Sequence, residues 1–451
     1  MRQTRSLPPG PRSPLLGSVV TMQKDPIGFT LGCWRDYGDV VSTRFLLSQL
    51  AILLYHPDHA KYVMQNPAKY DKRISVIQGV KVLMGEGLFT NDDEKTWRVQ
   101  RRLFQPLFQQ KNMPLFDALI TSTTQSLLSE WQAYVKSGQV IDMEQEMRKF
   151  ILRTIARTLF SIDLETSIQT QIDYHLQTMV PLLSDYMNFP FPPLSIPTTR
   201  NVRLKRAVQA LDAIIYSLIE RYKAAAHTPA HDLLSLLLAV RHEDGHPLND
   251  KQVRDEVVTF LLGGHDTTAH TLAFTWYALS RYPDVEKKFS EELDAVLGGR
   301  LPTIEDLPRL SYTHMIIDEV LRLYPSAFAL VRRAVEDDEI AGYHVPKNSL
   351  MIPIPYAVQR HPDFWENPDE FDPERFATDQ EKRFPHIAYM PFGSGPHLCV
   401  AKYFGTMMVQ LALVTIAQQY RLQLAPTPPV ELLFRISLRS RHGIPMSISA
   451  R

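Results

Sequence analysis

A single cysteine stands in the segment PFGSGPHLCVA, residues 391–401, in a setting that suits a thiolate. The loop before Cys399 contains two glycines and a proline, and a long apolar segment, residues 400–420, follows at once. Backbone N–H groups of such a loop, and of the N-terminus of a following helix, would stabilise a negative charge on sulfur. A thiolate held in this way is suited to act as a nucleophile or as a metal ligand.

Four interpretations of Cys399 follow from residue types alone. An isolated cysteine is most often a small buried hydrophobe. A structural zinc site needs more ligands than Cys399 and the nearby His397, and the only other cysteine, Cys33, is distant in the chain. A cysteine hydrolase needs a base held by a third group, and none is evident beside His397. A thiolate ligand of haem iron explains the loop, the apolar segment and the isolation of the cysteine together.

The segment GGHDTT, residues 263–268, lies inside a predicted long helix. Asn249 and Gln252 form a capping-box pattern at its start, and apolar residues at spacings of three and four continue to about Arg281. The glycines, the acid and the hydroxyl residues are poor formers of a helix interior. Two interpretations remain open: a crossing point where another helix backbone approaches, or a groove with an acid and an alcohol that deliver protons to a ligand.

Three further motifs carry charge but are weak signals by themselves. Trp97 and Arg101 are four residues apart, which fits an amphipathic helix or a pair of donors to one anion. Glu319 and Arg322 are three apart and can pair on a helix face, as pairs on solvated helices commonly do. Arg375, in the irregular segment FDPERF, is either an exposed turn residue or a further cation in that neighbourhood.

The remaining pattern predicts a mainly α protein with small β-sheets (α+β) and one large domain over residues 1–451. Residues 1–14 form a Pro-rich lead-in, and the pattern over 39–55 predicts two short strands. Residues 57–350 are mostly helical in pattern, and the segment NFPFPPLSIP at 188–197 predicts a surface loop between two helices.

Composition excludes several classes of function. Lys+Arg and Asp+Glu are equal at 49 each, so nucleic acid is not an expected partner. Two cysteines cannot form a disulfide framework, which favours a reducing compartment and predicts a cytoplasmic protein. The apolar run FLLSQLAILLY, residues 45–55, falls well short of the roughly 20 residues of a spanning helix, so no transmembrane anchor is expected.

Taken in order, these motifs resemble those of the cytochrome P450 family. The segment FGSGPHLCVA, residues 392–401, is similar to the haem-binding signature of that family. The Pro-rich lead-in, the Trp97/Arg101 pair, GGHDTT, the Glu319/Arg322 pair and FDPERF also occur in the family's order. Because the resemblance covers essentially the whole chain, it implies the cytochrome P450 fold around a long central oxygen-activating helix.

The resemblance implies a role for each motif. Cys399 would be the proximal iron ligand of haem b (iron protoporphyrin IX), with Phe392 packed beside it. The residues that would bind the haem propionates are Trp97, Arg101, Arg332 and His397, with Arg332 preferred to Arg333 by counting eight residues back from Ile340. Glu319, Arg322 and Arg375 would form a structural ion network. Asp266 and Thr267 would be the catalytic acid–alcohol pair.

Two positions depart from the family's usual pattern. His397 stands where the family usually has arginine, so the charge of this group toward a propionate depends on pH. Ala401 stands where glycine is common, and its small side chain preserves a close approach of helix and haem.

The implied activity is a monooxygenase that inserts one oxygen atom of O2 into an apolar, lipid-like substrate, such as a fatty acid, alkane, terpenoid or retinoid-like molecule. The regions that contact substrate in the family correspond here to an apolar wall: Leu88, Phe89, Phe260, Leu261, Ala327, Phe328, Leu330 and Ile436. The 188–197 loop would belong to a mobile lid.

The electrons would come from a separate protein, a ferredoxin, a flavodoxin or a diflavin reductase, because no flavin or iron–sulfur domain fits beside the haem domain. Lys95, Arg98, Arg102 and Lys402 would form a basic docking face or simply solvated surface. A monomer is expected. The rival functions are a peroxide-using peroxygenase and a haem-binding sensor or carrier without turnover, both disfavoured by Asp266 and Thr267.

Overall fold

The computed structural model of the chain describes residues 6–11, 18–44, 49–188, 192–224, 232–241, 245–377, 386–426 and 428–451. The helices are α1 (Val19–Lys24), α2 (Pro26–Tyr37), α3 (Pro57–Gln65), α4 (Ser75–Met84), α5 (Glu94–Phe104), α6 (Asp117–Ser137), α7 (Met143–Phe160), α8 (Thr166–Asn188), α9 (Thr199–Ala224), α10 (Leu233–Ala239), α11 (Asp250–Arg281), α12 (Pro283–Leu297), α13 (Ser311–Leu323), α14 (Pro355–Val358) and α15 (Lys402–Ala417). The strands are β1 (Val40–Arg44), β2 (Leu50–Leu54), β3 (Tyr70–Asp71), β4 (Ile141–Asp142), β5 (Arg332–Ala334), β6 (Asp338–Ile340), β7 (Tyr343–Val345), β8 (Leu350–Pro353), β9 (Tyr420–Leu424), β10 (Leu432–Phe434), β11 (Leu438–Ser440) and β12 (Pro445–Ala450).

Helix α11 is the central element of the fold and confirms the predicted long helix. Its 32 residues correspond to about 48 Å of length. The predicted capping box is present: the Asn249 side chain accepts the Gln252 N–H, and the Gln252 side chain accepts the Asn249 N–H. Most of its residues are buried, because α7, α9, α13 and α15 pack around it. A helix buried on nearly all sides can present polar groups only to an internal site.

A five-stranded sheet has the order β1-β2-β8-β5-β3. Strands β1 and β2 are antiparallel and confirm the two strands predicted over residues 39–55. Strand β8 pairs parallel to β2 and antiparallel to β5, with Arg332 opposite Met351. The sheet therefore fixes the position of Arg332 through a central strand whose residues are all buried.

Smaller sheets lie toward the C-terminus. Strands β4, β12 and β9 form a three-stranded sheet, and β10 pairs with β11 as an antiparallel hairpin. The Leu438 N–H of this hairpin donates to the Ser326 carbonyl at 2.9 Å, which attaches the hairpin to the segment after α13.

The two Pro-rich segments are described only in part. In the lead-in, Pro8 and Pro9 accept hydrogen bonds from the Ser42 side chain and N–H, at 2.7 and 2.8 Å, so this stretch lies along β1. Between α8 and α9, residues 189–191 lie outside the described ranges, and residues 192–198 are non-helical, as the loop prediction requires. None of the helices in the described ranges combines the length and apolarity that crossing a bilayer requires.

Candidate active site

One large cavity collects most of the residues that the sequence singled out. Its volume is about 1510 Å³, well beyond the roughly 300–1,000 Å³ of a site for one small molecule. It is lined by parts of α5 and α11, by the loop that carries Cys399, by the segment after α13 and by the tip of the β10–β11 hairpin. The lining is mainly apolar, so the cavity suits a large hydrophobic ligand together with a second molecule.

Cys399 lies in the cavity wall at the end of a tight loop. Gly393 and Gly395 have φ values of +76° and +71°, and a Cβ on Gly395 would stand 2.3 Å from the Met64 carbonyl oxygen. Glycine is therefore required at 395 both for the turn and for its close approach to the end of α3. The Cys399 N–H donates to the Phe392 carbonyl at 3.0 Å, which closes the loop. The side chain remains accessible from the cavity.

The pKa of the Cys399 thiol lies above its usual value, because the effect of burial is larger than that of the local donors. Burial raises the pKa of the thiol, while the Ala401 N–H and the Arg101 guanidinium act in the opposite direction. Helix α15 begins at Lys402, so this N–H belongs to a helix N-terminus. Such donors stabilise a thiolate, and a bound metal ion removes the thiol proton outright.

Three cations on the cavity wall have no carboxylate within ion-pair distance among the described residues. Arg101 and Arg332 both line the cavity, and Arg101 Nε is buried without a hydrogen-bond partner among the described residues. Burial lowers the pKa of Arg101 and lowers that of Arg332 to about 10. Lys72 lines the same wall, with its Nζ 5.4 Å from the Trp97 ring centroid, and burial and Arg332 lower its pKa to about 7. We call Lys72, Arg101 and Arg332 the wall cations.

His397 stands among the wall cations and is neutral. Burial and the nearby Lys72 and Arg332 lower its pKa to about 3, and its ring centroid lies 3.8 Å from that of Trp97. His397 Nε2 lies 3.2 Å from a Glu94 carboxylate oxygen, to which the neutral ring donates a hydrogen bond. The pH-dependent charge that the sequence predicts for this ring would therefore appear only near pH 3.

The residues present fit haem. An apolar cavity of this size accommodates a macrocycle, the accessible thiol offers an axial ligand, and the unbalanced wall cations match two carboxylates. Arg332 is the member of its arginine pair that faces the cavity, whereas Arg333 pairs with Asp71 at 2.6 Å. Of the two arginines, Arg332 is therefore the one in a position to contact a ligand in the cavity.

The two glycines of GGHDTT differ in what surrounds them. A Cβ on Gly264 would stand 2.9 Å from Ile155 Cδ1, so this glycine permits the close packing of α11 on α7. A Cβ on Gly263 would meet nothing within 4 Å, and the residue lines the cavity. Thr267 also lines the cavity, where its Oγ1 donates to the Gly263 carbonyl at 2.7 Å. The hydroxyl is therefore available at the cavity wall.

Asp266, in contrast, is absent from the described cavity lining. Its carboxylate accepts a hydrogen bond from Ser437 Oγ and pairs with Arg439 at 3.1 Å, both on the C-terminal hairpin. Burial opposes ionisation, but Arg439 and Ser437 outweigh it and lower the pKa of Asp266. The expectation that acid and alcohol lie side by side in the cavity thus holds for Thr267 alone.

The predicted apolar wall is assembled with one correction. The wall residues that line the cavity are Leu88, Phe89, Phe260, Ala327, Phe328, Leu330 and Ile436. Leu261 does not; it lines a separate small apolar space with Val257 and Ile215. Consecutive helix residues differ by about 100° in direction, so Phe260 faces the cavity and Leu261 faces its neighbouring helices. Phe89 is 54% exposed, the most of the large hydrophobic wall residues.

Glu319, Arg322 and Arg375 come together as predicted. Arg322 Nε and Nη2 donate to the two Glu319 oxygens at 2.6 and 2.8 Å, and both side chains are fully buried. Arg375 Nε lies 3.4 Å from Glu319. The remaining Arg322 N–H groups donate to the carbonyls of Gln359, Pro368 and Glu370. None of the three line the cavity, so the network holds the chain together around α13.

Sequence reasoning missed Lys72, Ser437 and Arg439. Each lies in an ordinary local context, and its importance arises from contacts with residues far away in the chain. No local pattern in one sequence distinguishes such a residue from a surface lysine, serine or arginine.

Comparisons with known proteins identify the family of this chain. The family model described as "Cytochrome P450" matches residues 7–442, so the chain belongs to the cytochrome P450 family. It is an oxidoreductase of that family, and its cofactor is haem.

Two curated relatives come from Streptomyces. A protein named cyclooctat-9-en-7-ol 5-monooxygenase, from Streptomyces melanosporofaciens, is 34% identical over 92% of this chain and 88% of its own length. Pentalenene oxygenase from Streptomyces avermitilis is 30% identical over 97% of this chain and 96% of its own. A crystal structure of the cytochrome P450DA haem domain matches with a TM-score of 0.89 and 25% identity, covering 100% of this chain and 99% of that one.

Proposed function

We propose that the protein uses haem b and electrons from a separate donor to insert one oxygen atom of O2 into an apolar, lipid-like substrate. One observation carries the proposal: a single apolar cavity joins an accessible thiol, unbalanced cations and the Thr267 hydroxyl. The thiol and cations suit haem, the hydroxyl suits proton delivery, and the remaining volume suits a hydrophobic substrate.

The chain's own residues would hold the cofactor through different groups. Cys399 would ligate the iron, and Phe392 would pack beside the sulfur. Arg101, Arg332 and Lys72 would bind the propionates, and Trp97 can donate its ring N–H to them. His397 would donate its single N–H to a propionate in place of Glu94. Bound haem supplies the oxygen chemistry, in which one atom of O2 enters the substrate and the other leaves as water.

Proton delivery is the proposed task of Thr267 and Asp266. Thr267 Oγ1 holds a proton at the cavity wall, and the carboxyl of Asp266 lies on the same turn of α11. Asp266 is ionised in its pair with Arg439, so it must part from Arg439 to take up a proton and pass it on. Ser437 and Arg439 therefore control when the acid is available.

The substrate is proposed from the apolar wall and from the printed names of the relatives. Aromatic and aliphatic side chains dominate the wall, and such a wall distinguishes related hydrocarbons poorly, by about 1–3 kcal/mol per methylene. The relatives are named for oxygenation of cyclooctat-9-en-7-ol and pentalenene. A terpenoid is therefore the first class to test, before fatty acids, alkanes and retinoid-like molecules.

The electron donor would be a ferredoxin, a flavodoxin or a diflavin reductase that docks near Cys399. Lys95, Arg98, Arg102 and Lys402 are all exposed, and Arg98 pairs with Glu94 at 2.8 Å. Lys402 opens the helix that follows Cys399, and the other three lie on α5 beside Trp97. We propose that this basic face receives an acidic donor, that the enzyme acts as a monomer, and that it works in the reducing cytoplasm, where Cys33 and Cys399 stay unpaired.

The test of the haem–thiolate assignment is the difference spectrum of the reduced protein with and without carbon monoxide. A strongly red-shifted Soret band is expected, and Cys399→Ser should abolish it while haem remains detectable. A band typical of histidine-ligated haem in the parent protein would contradict the assignment.

A second experiment separates the O2 route from a peroxygenase and from a sensor or carrier. Thr267→Ala should release more hydrogen peroxide per electron consumed, because the hydroxyl no longer delivers protons. The measurement compares product, peroxide and consumed reductant with a surrogate reductase, and Thr275→Ala, a buried hydroxyl on the same helix outside the described cavity lining, is the matched control. Unchanged coupling would remove Thr267 from the mechanism, and lack of any turnover would favour a sensor.

A further inference from the structure

The segment 85–91 forms part of the cavity wall although it has no helix or strand of its own. It connects α4 to α5 and carries Leu88 and Phe89, which both line the cavity. Phe89 is 54% exposed, so much of its side chain is free to contact a ligand. The position of this wall therefore depends on what holds its backbone.

Two adjacent carboxylates of α11 hold that backbone. The Glu86 N–H donates to Asp255 Oδ2 and the Leu88 N–H donates to Glu256 Oε2, each at 3.0 Å. The second Glu256 oxygen accepts from Gln100 Nε2 at 2.9 Å. Both carboxylate residues are only 3% exposed, so these contacts form inside the protein.

The two glycines of the segment show how closely it approaches α11. A Cβ on Gly85 would stand 2.1 Å from the Asp255 carboxyl carbon, and a Cβ on Gly87 would stand 2.1 Å from Thr259 Oγ1. Any side chain at either position would push the segment away from the helix. The contact is thus a close fit of backbone against carboxylates.

Asp255 and Glu256 differ in their charge partners. Asp255 pairs with Lys251 at 2.7 Å and with Arg254 at 2.9 Å, as a buried carboxylate commonly does. Among the described residues, no cation lies within ion-pair distance of Glu256, whose partners are neutral N–H donors. Burial and Asp255 raise the pKa of Glu256 to about 8, while the Leu88 N–H lowers it. Burying the Glu256 carboxyl without a cation costs free energy. Its hydrogen bond to segment 85–91 is a reason for such a group to be present.

Gln100 extends the contact to both ends of the segment. Its Nε2 donates to Glu256 and also to the Glu86 carbonyl, both at 2.9 Å, and its Oε1 accepts from Asn91 Nδ2 at 2.7 Å. Lys72 Nζ donates to the Phe89 carbonyl at 3.3 Å. The segment is thus fixed to α11 and α5 through backbone groups, while its apolar side chains face the cavity.

We propose that Glu256 is a positioning residue that fixes segment 85–91 against α11 and thereby sets how tightly the cavity binds elongated apolar ligands. The inference rests on the proposed function in that the cavity holds haem and an apolar substrate beside it. Glu256 itself is absent from the described cavity lining, so it acts through Leu88 and Phe89.

The test compares two probes on the haem-loaded protein, imidazole and 1-dodecylimidazole. Both bind iron through an imidazole nitrogen and shift the Soret band, but only the second extends along an apolar wall. We define the dodecyl preference as the affinity for 1-dodecylimidazole divided by the affinity for imidazole. We expect Glu256→Leu to leave the affinity for imidazole unchanged and to reduce the dodecyl preference about tenfold. Glu256→Gln keeps an acceptor for the Leu88 N–H, and its dodecyl preference should fall only about threefold, the effect of one hydrogen bond.

The matched control is Glu146→Leu, another buried glutamate, which contacts Trp131 and Lys149 away from the cavity. It should destabilise the protein without changing the dodecyl preference. An unchanged ratio in Glu256→Gln, or an equal loss in Glu146→Leu, overturns the inference.

Hydrogen exchange gives a readout that does not depend on the iron. Amides of residues 85–91 should exchange faster in Glu256→Leu, or in Glu256→Gln if the leucine variant does not fold, and at the parent rate in Glu146→Leu. Parent-like exchange in both Glu256 variants overturns the inference whatever the azoles show. Absence of any imidazole shift in the parent protein would instead contradict the proposed function.

Discussion

Two groups of buried charge in this molecule differ in whether the chain itself balances them. Around Arg322, the opposite charges are paired. Glu319 binds Arg322 through both oxygens and lies 3.4 Å from Arg375 Nε, and three backbone carbonyls accept the remaining Arg322 N–H groups. The wall cations have no such partner set, and Arg101 Nε has none among the described residues. The first group is complete within the fold, whereas the second is complete only with an anionic ligand. A balanced cluster therefore indicates structure, and an unbalanced one indicates binding.

The largest effect is expected where the balanced network is broken. Arg322→Met leaves the fully buried Glu319 carboxylate without its main partner, and such changes cost about 3–5 kcal/mol. Urea unfolding of the haem-loaded protein would measure the loss, which should also appear as a poor yield of folded protein. Arg309→Met, on a 60% exposed side chain, is the control and should stay within about 0.5 kcal/mol of the parent. A small loss for Arg322→Met would show that the network is dispensable.

Removing one of the wall cations should not lower the free energy of unfolding of the haem-free protein, in contrast to the loss expected for Arg322→Met. Arg332→Met removes a buried cation that lacks an anion, so the free energy of unfolding without haem should not fall. Haem binding should weaken by roughly 1.5–3 kcal/mol, the value of a hydrogen bond to a charged group. The rate of haem transfer to apomyoglobin would report this change.

Arg333→Met supplies the control for Arg332, because Arg333 is its neighbour in β5 but pairs with Asp71. It should leave haem release unchanged and cost at most about 1 kcal/mol of stability. Equal haem release from both variants would contradict the assignment of Arg332 to a propionate.

The smallest effect is a pH dependence at Lys72. Burial and Arg332 hold the pKa of Lys72 at about 7 in the haem-free protein. The propionate carboxylates of bound haem would raise that pKa. Haem binding then takes up a proton above pH 7, so haem affinity should fall as pH rises from about 7 to 9, by up to about tenfold in total if the pKa rises by one unit. Lys72→Met should flatten this dependence and the exposed Lys95→Met should not, as spectroscopic haem titrations can show. A dependence that persists in Lys72→Met would assign it to another group.

What the sequence predicted correctly was encoded locally. The loop before Cys399 turns at two glycines with positive φ, and the capping box at Asn249 is formed by residues three apart. Periodicity defined α11 almost to its ends. These features depend on neighbours in the chain, and so one sequence suffices to predict them.

What the sequence did not predict depends on distant contacts. The resemblance assigns both Phe260 and Leu261 to the cavity wall, and only the packing of α7 and α9 decides which of the two faces the cavity. The resemblance places Asp266 with Thr267 as an acid–alcohol pair. In the structure the Asp266 carboxylate instead accepts hydrogen bonds from Arg439 and Ser437, which lie more than 170 residues later in the chain. The contact of Glu256 with Leu88 spans 168 residues.

The parallel pairing of β2 with β8 bears on how the chain reaches its fold. Ala51 lies opposite Leu350, and Leu54 opposite Pro353. During synthesis, β2 therefore lacks its β8 partner until about 300 further residues have been added. At synthesis rates of about 5–20 residues per second, this interval lasts roughly 15–60 s. During that time the apolar run AILL has only the β1 edge to pair with and is open to misassociation. Slow elongation or a shortage of chaperones should therefore reduce the yield of this protein more than that of chains whose strands pair with near neighbours.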